Sequence, residues 1–274
     1  MNSPDVLTPA ALAVPEPAFD PSSRWNAWGC ALVCAACFVI LVFAQAIAFF
    51  AILALHYPGI LSGALPESVL GELRTAAGLA QLLNAPTFFS FTVFSYGLLV
   101  LAIFLGARIG FGANAAQLGL RIRPHAKQIG YGILAGIGLI VISIVIGGVE
   151  SKLFGPHPQL VAEMLAKRHG PFAFALDLLS VSLAAPIGEE LFFRGVLFAG
   201  LVQRMPLWSA AVLSGLIFGA AHLDPWNFPS LFVIGIGLAY VYYANRTLWS
   251  NIASHATVNG VTLILTYLAP QLVK

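Results

Sequence analysis

The chain has 274 residues, of which 59% are hydrophobic and only 9% charged, and its formal net charge is +2. Soluble domains carry roughly 25% charged residues, so this composition excludes a water-soluble globular domain, and the small net charge gives no reason to expect a nucleic-acid partner. We expect an all-α fold, a polytopic membrane protein whose partner is the lipid bilayer, because about 20 apolar residues in a helix span the hydrocarbon core.

The N-terminal segment, residues 1–25, contains five prolines and lacks the basic start and short apolar core of a signal peptide. We predict a disordered tail followed by a charge-free first span over 27–55, which acts as an uncleaved anchor. The only cysteines, Cys30, Cys34 and Cys37, lie in this span, and we interpret them as small apolar packing residues.

The next elements alternate between polar connections and apolar spans. Prolines and charges in 56–86 predict a loop with a short interfacial helix over 67–83, and the glycine-rich third span has Gly132 and Gly136 at a close-packing interval. Pro186 is expected to kink the long helix that contains it. The six further spans are predicted at 87–107, 128–149, 172–204, 206–222, 230–245 and 248–269. The total is about seven spans, or eight if part of 56–86 enters the bilayer.

The connection 108–127 holds four basic residues. The positive-inside rule therefore predicts that this connection and the N-terminus face the cytoplasm of a multi-pass protein in the cell membrane, plasma or inner. After the tail, we divide the chain into N-terminal membrane helices with the basic connection (26–126) and a catalytic membrane core (127–274), whose motifs fall within 185–260.

Few ionisable side chains fall within the predicted spans, and they are confined to 177–255. An ionisable residue in a span costs roughly 2.5–3.5 kcal/mol on insertion scales and usually marks a functional site. Asp177 lies near a span end, and we assign it a structural or interfacial role. The other such residues are Glu189, Glu190, Arg194, His222 and His255.

The segment "APIGEELFFRGVLF" (185–198) divides by helical geometry. Glu190 and Arg194 are four residues apart, so they share a face and can neutralise each other. Glu189 projects about 100° away around the helix and has no partner on its own helix. An unpaired carboxylate in a site of low dielectric constant suits a general base.

The two later helices repeat the four-residue spacing. "FGAAH" places Phe218 and His222 on one face, and "HATVN" does the same for His255 and Asn259. Counting residues from the turn at 204–206 predicts similar depths for Glu189 and His222, whereas His255 matches that depth less well.

These three segments, "EELFFR" (189–194), "FGAAH" (218–222) and "HATVN" (255–259), resemble in order the E-E-x-x-x-R, F-x-x-x-H and H-x-x-x-N motifs of the CAAX prenyl protease and bacteriocin-processing (CPBP) family of intramembrane proteases. The resemblance covers about residues 170–270. "QLGLRIRP" (117–124) is similar to a segment often present upstream in such proteins.

The resemblance implies a bundle of about eight membrane helices around an intramembrane catalytic cavity. It implies that Glu189 activates water for attack on a peptide carbonyl, that Glu190 pairs with Arg194, and that His222 orients the water or the base. His255 and Asn259 would stabilise the oxyanion.

The sequence is compatible with two kinds of cofactor use. Glu189, His222 and His255 would make a plausible zinc set with one position left for water, yet no H-E-x-x-H helix is present and the histidines lie on different spans. The resemblance is compatible with zinc and with metal-free action. Asn259, one turn from His255, favours the metal-free reading.

The predicted function is that of an intramembrane endopeptidase acting on a hydrophobic or membrane-tethered peptide. One alternative is a proton- or ion-coupled transporter in which the same residues form a relay, although the charged motif has no second copy of the kind that repeat-built transporters show. The other is a catalytically silent family member acting as a scaffold or in bacteriocin immunity.

Overall fold

The computed structural model describes residues 26–63, 67–120 and 126–269, and within these ranges it is helical and contains no strand. The expected all-α class is confirmed. The predicted tail, 1–25, and part of the basic connection, 121–125, lie outside the described residues. The helices are α1 (Ala27–His56), α2 (Glu67–Glu72), α3 (Ala76–Leu82), α4 (Ala85–Leu105), α5 (Ala126–Phe154), α6 (Leu160–Leu165), α7 (Pro171–Leu201), α8 (Leu207–Ala221), α9 (Phe228–Asn245) and α10 (Leu248–Leu268).

Each of the seven predicted spans corresponds to a helix of the structure, although not all of them are long and apolar enough to cross a membrane. Within the described ranges, five helices are long and apolar enough to cross a membrane: α1, α4 with the π-helical turn that extends it to Gly110, α5, α7 and α9. Helix α8 is apolar but has 15 residues. Helix α10 has 21 residues but contains the polar groups of the last motif, which lower its apolar character.

The single interfacial helix predicted over 67–83 is wrong. The structure has two short helices, α2 and α3, separated by residues 73–75. Thr75 caps the second helix, since its hydroxyl accepts a hydrogen bond from the Gly78 amide at 3.0 Å. A threonine at this position offers the backbone an alternative to continuing the helix.

Helix α7 runs through the middle of the molecule and is not uniformly α-helical. It widens into π-helical stretches at Ser180–Ala184 and Leu191–Phe198, with an α-helical segment, Ala185–Glu190, between them. Pro186 sits in the first turn of that segment, where its missing N–H is tolerated because the preceding turns are already irregular. Such π-helical stretches are frequent at functional sites, and both motif glutamates lie between them.

The close packing predicted for Gly132 and Gly136 is present, and Gly215 makes the same kind of contact at a second helix pair. Helix α5 packs along α10, and a Cβ atom at Gly136 would lie 2.6 Å from the Ser254 carbonyl oxygen. Helix α8 packs along α9, and a Cβ atom at Gly215 would lie 2.9 Å from the Phe232 carbonyl oxygen. Only glycine permits these approaches, which bring α5 close to α10 and α8 close to α9.

Asp177 has the structural surroundings expected for it. Its side chain is fully buried and binds Arg168, from the loop before α7, and the Tyr267 hydroxyl at 2.7 Å. Arg168 also donates to the Leu83 carbonyl oxygen. The cluster therefore joins the loop, α7, α10 and the end of α3.

Candidate active site

Glu190 is the centre of a fully buried polar cluster. Its Oε1 accepts a hydrogen bond from Arg194 Nη1 at 2.9 Å and lies 2.8 Å from His255 Nδ1, while Oε2 accepts from Asn251 Nδ2 at 3.1 Å. The side chains of Glu190 and Arg194 are both 0% exposed. The predicted one-turn ion pair is therefore present, and α10 provides the two other partners.

Arg194 joins helix α7 to α8 and α9. Its Nη2 donates to the Gly235 carbonyl oxygen on α9 at 3.0 Å, and its guanidinium carbon lies 4.7 Å from the centroid of the Phe218 ring on α8. A buried guanidinium is tolerated when a carboxylate neutralises it and carbonyls and aromatic faces take its remaining groups. The pair with Glu190 thus gathers three helices around one buried charge.

Glu189 lies at the edge of this cluster and is partly exposed, at 14% of its side chain. Its Oε1 accepts a hydrogen bond from the Tyr96 hydroxyl on α4 at 2.5 Å. Its Oε2 is buried, has no hydrogen-bond partner within the described ranges, and lies 3.9 Å from His255 Nε2. Glu189 therefore has one oxygen fixed and one oxygen directed at a histidine.

His255 lies between the two motif glutamates and is 4% exposed. Glu190 is paired with Arg194 and is therefore a carboxylate, which can only accept hydrogen bonds, so His255 Nδ1 must donate to it. In the neutral ring the proton is then on Nδ1, and Nε2 is a hydrogen-bond acceptor that faces Glu189 Oε2. The tautomer follows from the partner of Nδ1.

His222 ends helix α8 and is exposed. Its Nδ1 lies 2.8 Å from the Phe218 carbonyl oxygen one turn earlier, which leaves Nε2 for other partners. No hydrogen bond or ion pair joins His222 to Glu189 in the part of the chain that the structure describes. The Phe218 ring nevertheless packs against both His222 and His255, with ring centroids 4.8 and 5.8 Å apart, so the two histidines adjoin the same aromatic side chain.

Asn259 reaches back to helix α7. Its Nδ2 donates to the Val181 carbonyl oxygen at 2.8 Å, and Val181 belongs to the first π-helical stretch. The wider turn leaves that carbonyl available to a side chain on another helix. Because an amide nitrogen has two N–H groups, Asn259 keeps a second donor for another acceptor.

The zinc alternative needs Glu189, His222 and His255 to converge on one point. Throughout 26–63, 67–120 and 126–269, no three His, Cys, Asp or Glu side chains are placed to hold a metal ion together. Glu189 and His255 approach each other, whereas His222 Nδ1 contacts the Phe218 carbonyl oxygen of its own helix. The donor set does not fit a three-ligand zinc site in this structure, and we derive no step through a metal.

Two residues of the cluster were not expected from the sequence. Tyr96 lies in a charge-free predicted span, where nothing distinguishes it from other lipid-facing or packing aromatics. Asn251 precedes His255 by four residues in "LWSNIASHATVN", so the spacing that joined His255 with Asn259 could have identified it. Asn251 also donates to the Leu238 carbonyl oxygen at 2.6 Å and thereby joins α10 to α9.

The fold and the site define a class: an all-α, multi-pass membrane protein with a glutamate and a histidine facing each other beside a buried glutamate–arginine pair. The family resemblance indicated by the three motifs is confirmed over the segment that carries them. Residues 171–261 match the family model described as type II CAAX prenyl endopeptidase Rce1-like. All six predicted site residues lie inside that segment, and Tyr96 lies outside it.

Two relatives extend the match. The chain is 25% identical over 147 residues to the "Putative membrane peptidase YdiL" of Bacillus subtilis (strain 168), which covers 50% of this chain and 58% of that protein. It is 27% identical over 171 residues to the "Membrane-embedded CAAX protease MroQ" of Staphylococcus aureus (strain USA300), covering 59% and 68%. The chain thus spans little more than half the length of the first relative. No solved structure matches the chain.

Proposed function

We propose that the protein is an intramembrane endopeptidase in which Glu189 activates water for attack on a peptide carbonyl. One observation carries the proposal: Glu189 Oε2, buried and without a hydrogen-bond partner within the described ranges, faces His255 Nε2 at 3.9 Å. That distance is too long for a direct hydrogen bond and suits one bridging water. Since both atoms accept hydrogen bonds, the water donates one hydrogen bond to each and directs its lone pairs at the substrate.

The reaction then follows ordinary general-base chemistry. Glu189 takes a proton from the water while the water oxygen forms a bond to the carbonyl carbon. The product of this step is a tetrahedral oxyanion. The second N–H of Asn259 donates to that oxyanion. When the intermediate collapses, the carbon–nitrogen bond breaks and Glu189 returns the proton to the leaving amine, so the products are a carboxylic acid and an amine.

The contacts favour a different use of His255 from oxyanion donation. That role requires a proton on Nε2, whereas the hydrogen bond from Nδ1 to Glu190 at 2.8 Å leaves Nε2 of the neutral ring as an acceptor. In the proposal, His255 holds the water together with Glu189. Glu190 and Arg194 fix the tautomer and the orientation of His255, as a carboxylate does for the histidine of other hydrolytic sites.

His222 is proposed to act from the open end of the site. Its Nδ1 is committed to the Phe218 carbonyl oxygen, so Nε2 of an exposed ring is left to meet substrate or water. Its packing on Phe218, which also touches His255, supports a position beside the reacting groups. We propose that His222 orients the scissile peptide or the water that attacks it.

The substrate is proposed to be a hydrophobic or membrane-tethered peptide. The relatives are described as a membrane peptidase and a membrane-embedded CAAX protease, and the family model as a CAAX prenyl endopeptidase, which supports a lipid-anchored C-terminal peptide as the first probe. The basic connection before α5 supports a cell-membrane orientation with the N-terminus in the cytoplasm. Residues 127–274 form the proposed catalytic core.

The test is cleavage by the purified protein in lipid nanodiscs. The probes are a farnesylated peptide with a C-terminal CAAX sequence and an unlipidated transmembrane peptide, analysed by mass spectrometry. We expect Glu189→Gln to lower cleavage by a factor of about 10² or more, whereas Glu67→Gln, a change at an exposed glutamate on α2, leaves it unchanged.

Three outcomes contradict the proposal. Equal cleavage by the wild type and Glu189→Gln would remove Glu189 from the mechanism. Absence of cleavage of either probe by a folded wild-type protein would favour the catalytically silent alternative. Proton flux that depends on Glu189, measured after reconstitution in sealed liposomes, would favour the transporter.

A further inference from the structure

The N-terminal half of the protein contributes a side chain to the site. Tyr96 lies on α4, outside the matched segment 171–261, and its hydroxyl donates to Glu189 Oε1 at 2.5 Å. We propose that Tyr96 is a positioning residue, which holds the Glu189 carboxylate in the orientation that directs Oε2 at His255. The catalytic consequence rests on the proposed function, whereas the contact itself can be tested without it.

The backbone of α7 is shaped to admit the tyrosine ring. A Cβ atom at Gly188, the residue before Glu189, would lie 2.5 Å from Tyr96 Cδ1, a distance that only glycine avoids. Helix α4 packs directly on this part of α7, and the neighbouring Ser95 and Leu99 are almost fully buried. The ring therefore lies in a place that the two helices define together.

The hydroxyl decides which carboxylate oxygen remains free. The terminal torsion of a glutamate is broad and roughly two-fold, so an unrestrained carboxylate exchanges its oxygens and rotates away from a fixed partner. The Glu189 carboxylate has no other hydrogen-bond partner within the described ranges, and His255 is too distant to hold it directly. A hydrogen bond to an ionised acceptor is stronger than a neutral one, so Tyr96 is the restraint on this side chain.

The first experiment measures the contact and needs no activity. Thermal unfolding in detergent is followed for Tyr96→Phe, Glu189→Met and the double variant. We expect Tyr96→Phe to lower the Tm of the wild type and to cause no further fall in the Glu189→Met background, because the hydroxyl has then lost its acceptor. An equal shift in both backgrounds would overturn the contact. Tyr131→Phe, at an exposed tyrosine on α5, should leave the Tm unchanged in both the wild-type and the Glu189→Met backgrounds.

The second experiment separates positioning from packing. For the farnesylated CAAX peptide, we expect Tyr96→Phe to lower kcat by about 10- to 100-fold with KM unchanged, since a misplacement of about 1 Å has an effect of that size. Gly188→Ala, which pushes the ring aside, should lower kcat in the same way. Wild-type kcat in Tyr96→Phe would overturn the positioning role while leaving the peptidase proposal intact.

The two proposals fail separately. If the wild type cleaves no probe, the proposed function fails and the unfolding cycle decides whether Tyr96 restrains Glu189. If Glu189→Gln loses cleavage and Tyr96→Phe keeps it, only the inference on Tyr96 is wrong. Tyr131→Phe, matched in chemistry and distant from the cluster, should keep wild-type kcat and KM throughout.

Discussion

His255 Nδ1 lies 2.8 Å from Glu190 Oε1, the same oxygen that accepts a hydrogen bond from Arg194. The other ring nitrogen, Nε2, faces Glu189 Oε2 at 3.9 Å. Two adjacent glutamates of one helix thus face the two nitrogens of a single imidazole ring. Because Glu190 accepts three hydrogen bonds and Glu189 accepts one, the two carboxylates are suited to different tasks, orientation for Glu190 and proton transfer for Glu189.

Removing the charge of Glu190 should destabilise the protein. Glu190→Gln leaves Arg194 as an uncompensated charge in a fully buried place, a change that typically costs about 3–5 kcal/mol. Denaturant unfolding in mild detergent measures the loss. Glu67→Gln, on an exposed surface, is the control, and equal unfolding midpoints for the two variants would contradict the central role of this pair.

Asn251 should contribute to stability and to kcat although it belongs to none of the three motifs. Asn251→Ala removes hydrogen bonds to Glu190 and to the Leu238 carbonyl oxygen, and leaves buried acceptors unpaired at about 1–3 kcal/mol. We expect lower stability and lower kcat, because His255 shares Glu190 as a partner. The control is Asn245→Ala, because the Asn245 amide donates to the Val241 carbonyl oxygen of its own helix. Identical behaviour of both variants would refute the prediction.

The histidine at the end of α8 has a matched counterpart at the end of α1. His222 binds the Phe218 carbonyl oxygen at 2.8 Å, and His56 binds the Ile52 carbonyl oxygen at 2.9 Å, each one turn back along its helix. We expect His222→Ala to lower kcat/KM for the probe peptide by a factor of about 10²–10⁴ and His56→Ala to leave it unchanged. Similar kcat/KM values for the two variants would limit His222 to capping its helix.

The Asp177 cluster should affect stability and leave catalysis unchanged. Asp177→Asn removes the charge that balances buried Arg168, at a cost of about 3–5 kcal/mol. Tyr267→Phe removes one neutral donor and should cost about 1 kcal/mol. The measurements are the unfolding midpoints of the two variants and their kcat values, taken at a temperature where both variants are folded. A fall in kcat without loss of stability would contradict a structural role.

The sequence predicts what is local and misses what depends on helix rotation. The helices and the pair Glu190–Arg194 follow from composition and four-residue spacing, and the structure contains both, although five helices in the described ranges, against about seven predicted spans, are long and apolar enough to cross a membrane. Residue counts predict the depth of a side chain but not its direction around the helix axis. They therefore predict that His222 lies near the depth of Glu189, but they do not predict whether the two side chains form a hydrogen bond. The role of Tyr96 was not predicted because its partner, Glu189, lies 93 positions away in the sequence.

The division of the 67–83 segment escaped for a different reason. One helix was expected there, but Thr75 accepts a hydrogen bond from the Gly78 amide and starts a second helix. Side-chain caps of this kind compete with helix propagation at a cost of about 1 kcal/mol, a margin too small for composition to resolve. Helix ends are consequently less predictable from sequence than the helices themselves.

The π-helical stretch Ser180–Ala184 gives α7 one place where a change of chain length is compensated. A π-helical turn accommodates an extra residue relative to the α-helix, so removing a single residue there would restore regular α-helix and keep Glu189 and Glu190 facing Tyr96 and His255. The Val181 carbonyl would then return to its own helix, and Asn259 would lose its partner on α7. The same deletion in the α-helical segment Ala185–Glu190 would turn everything beyond it by about 100°, so natural length variation in α7 should fall in the π-helical stretch.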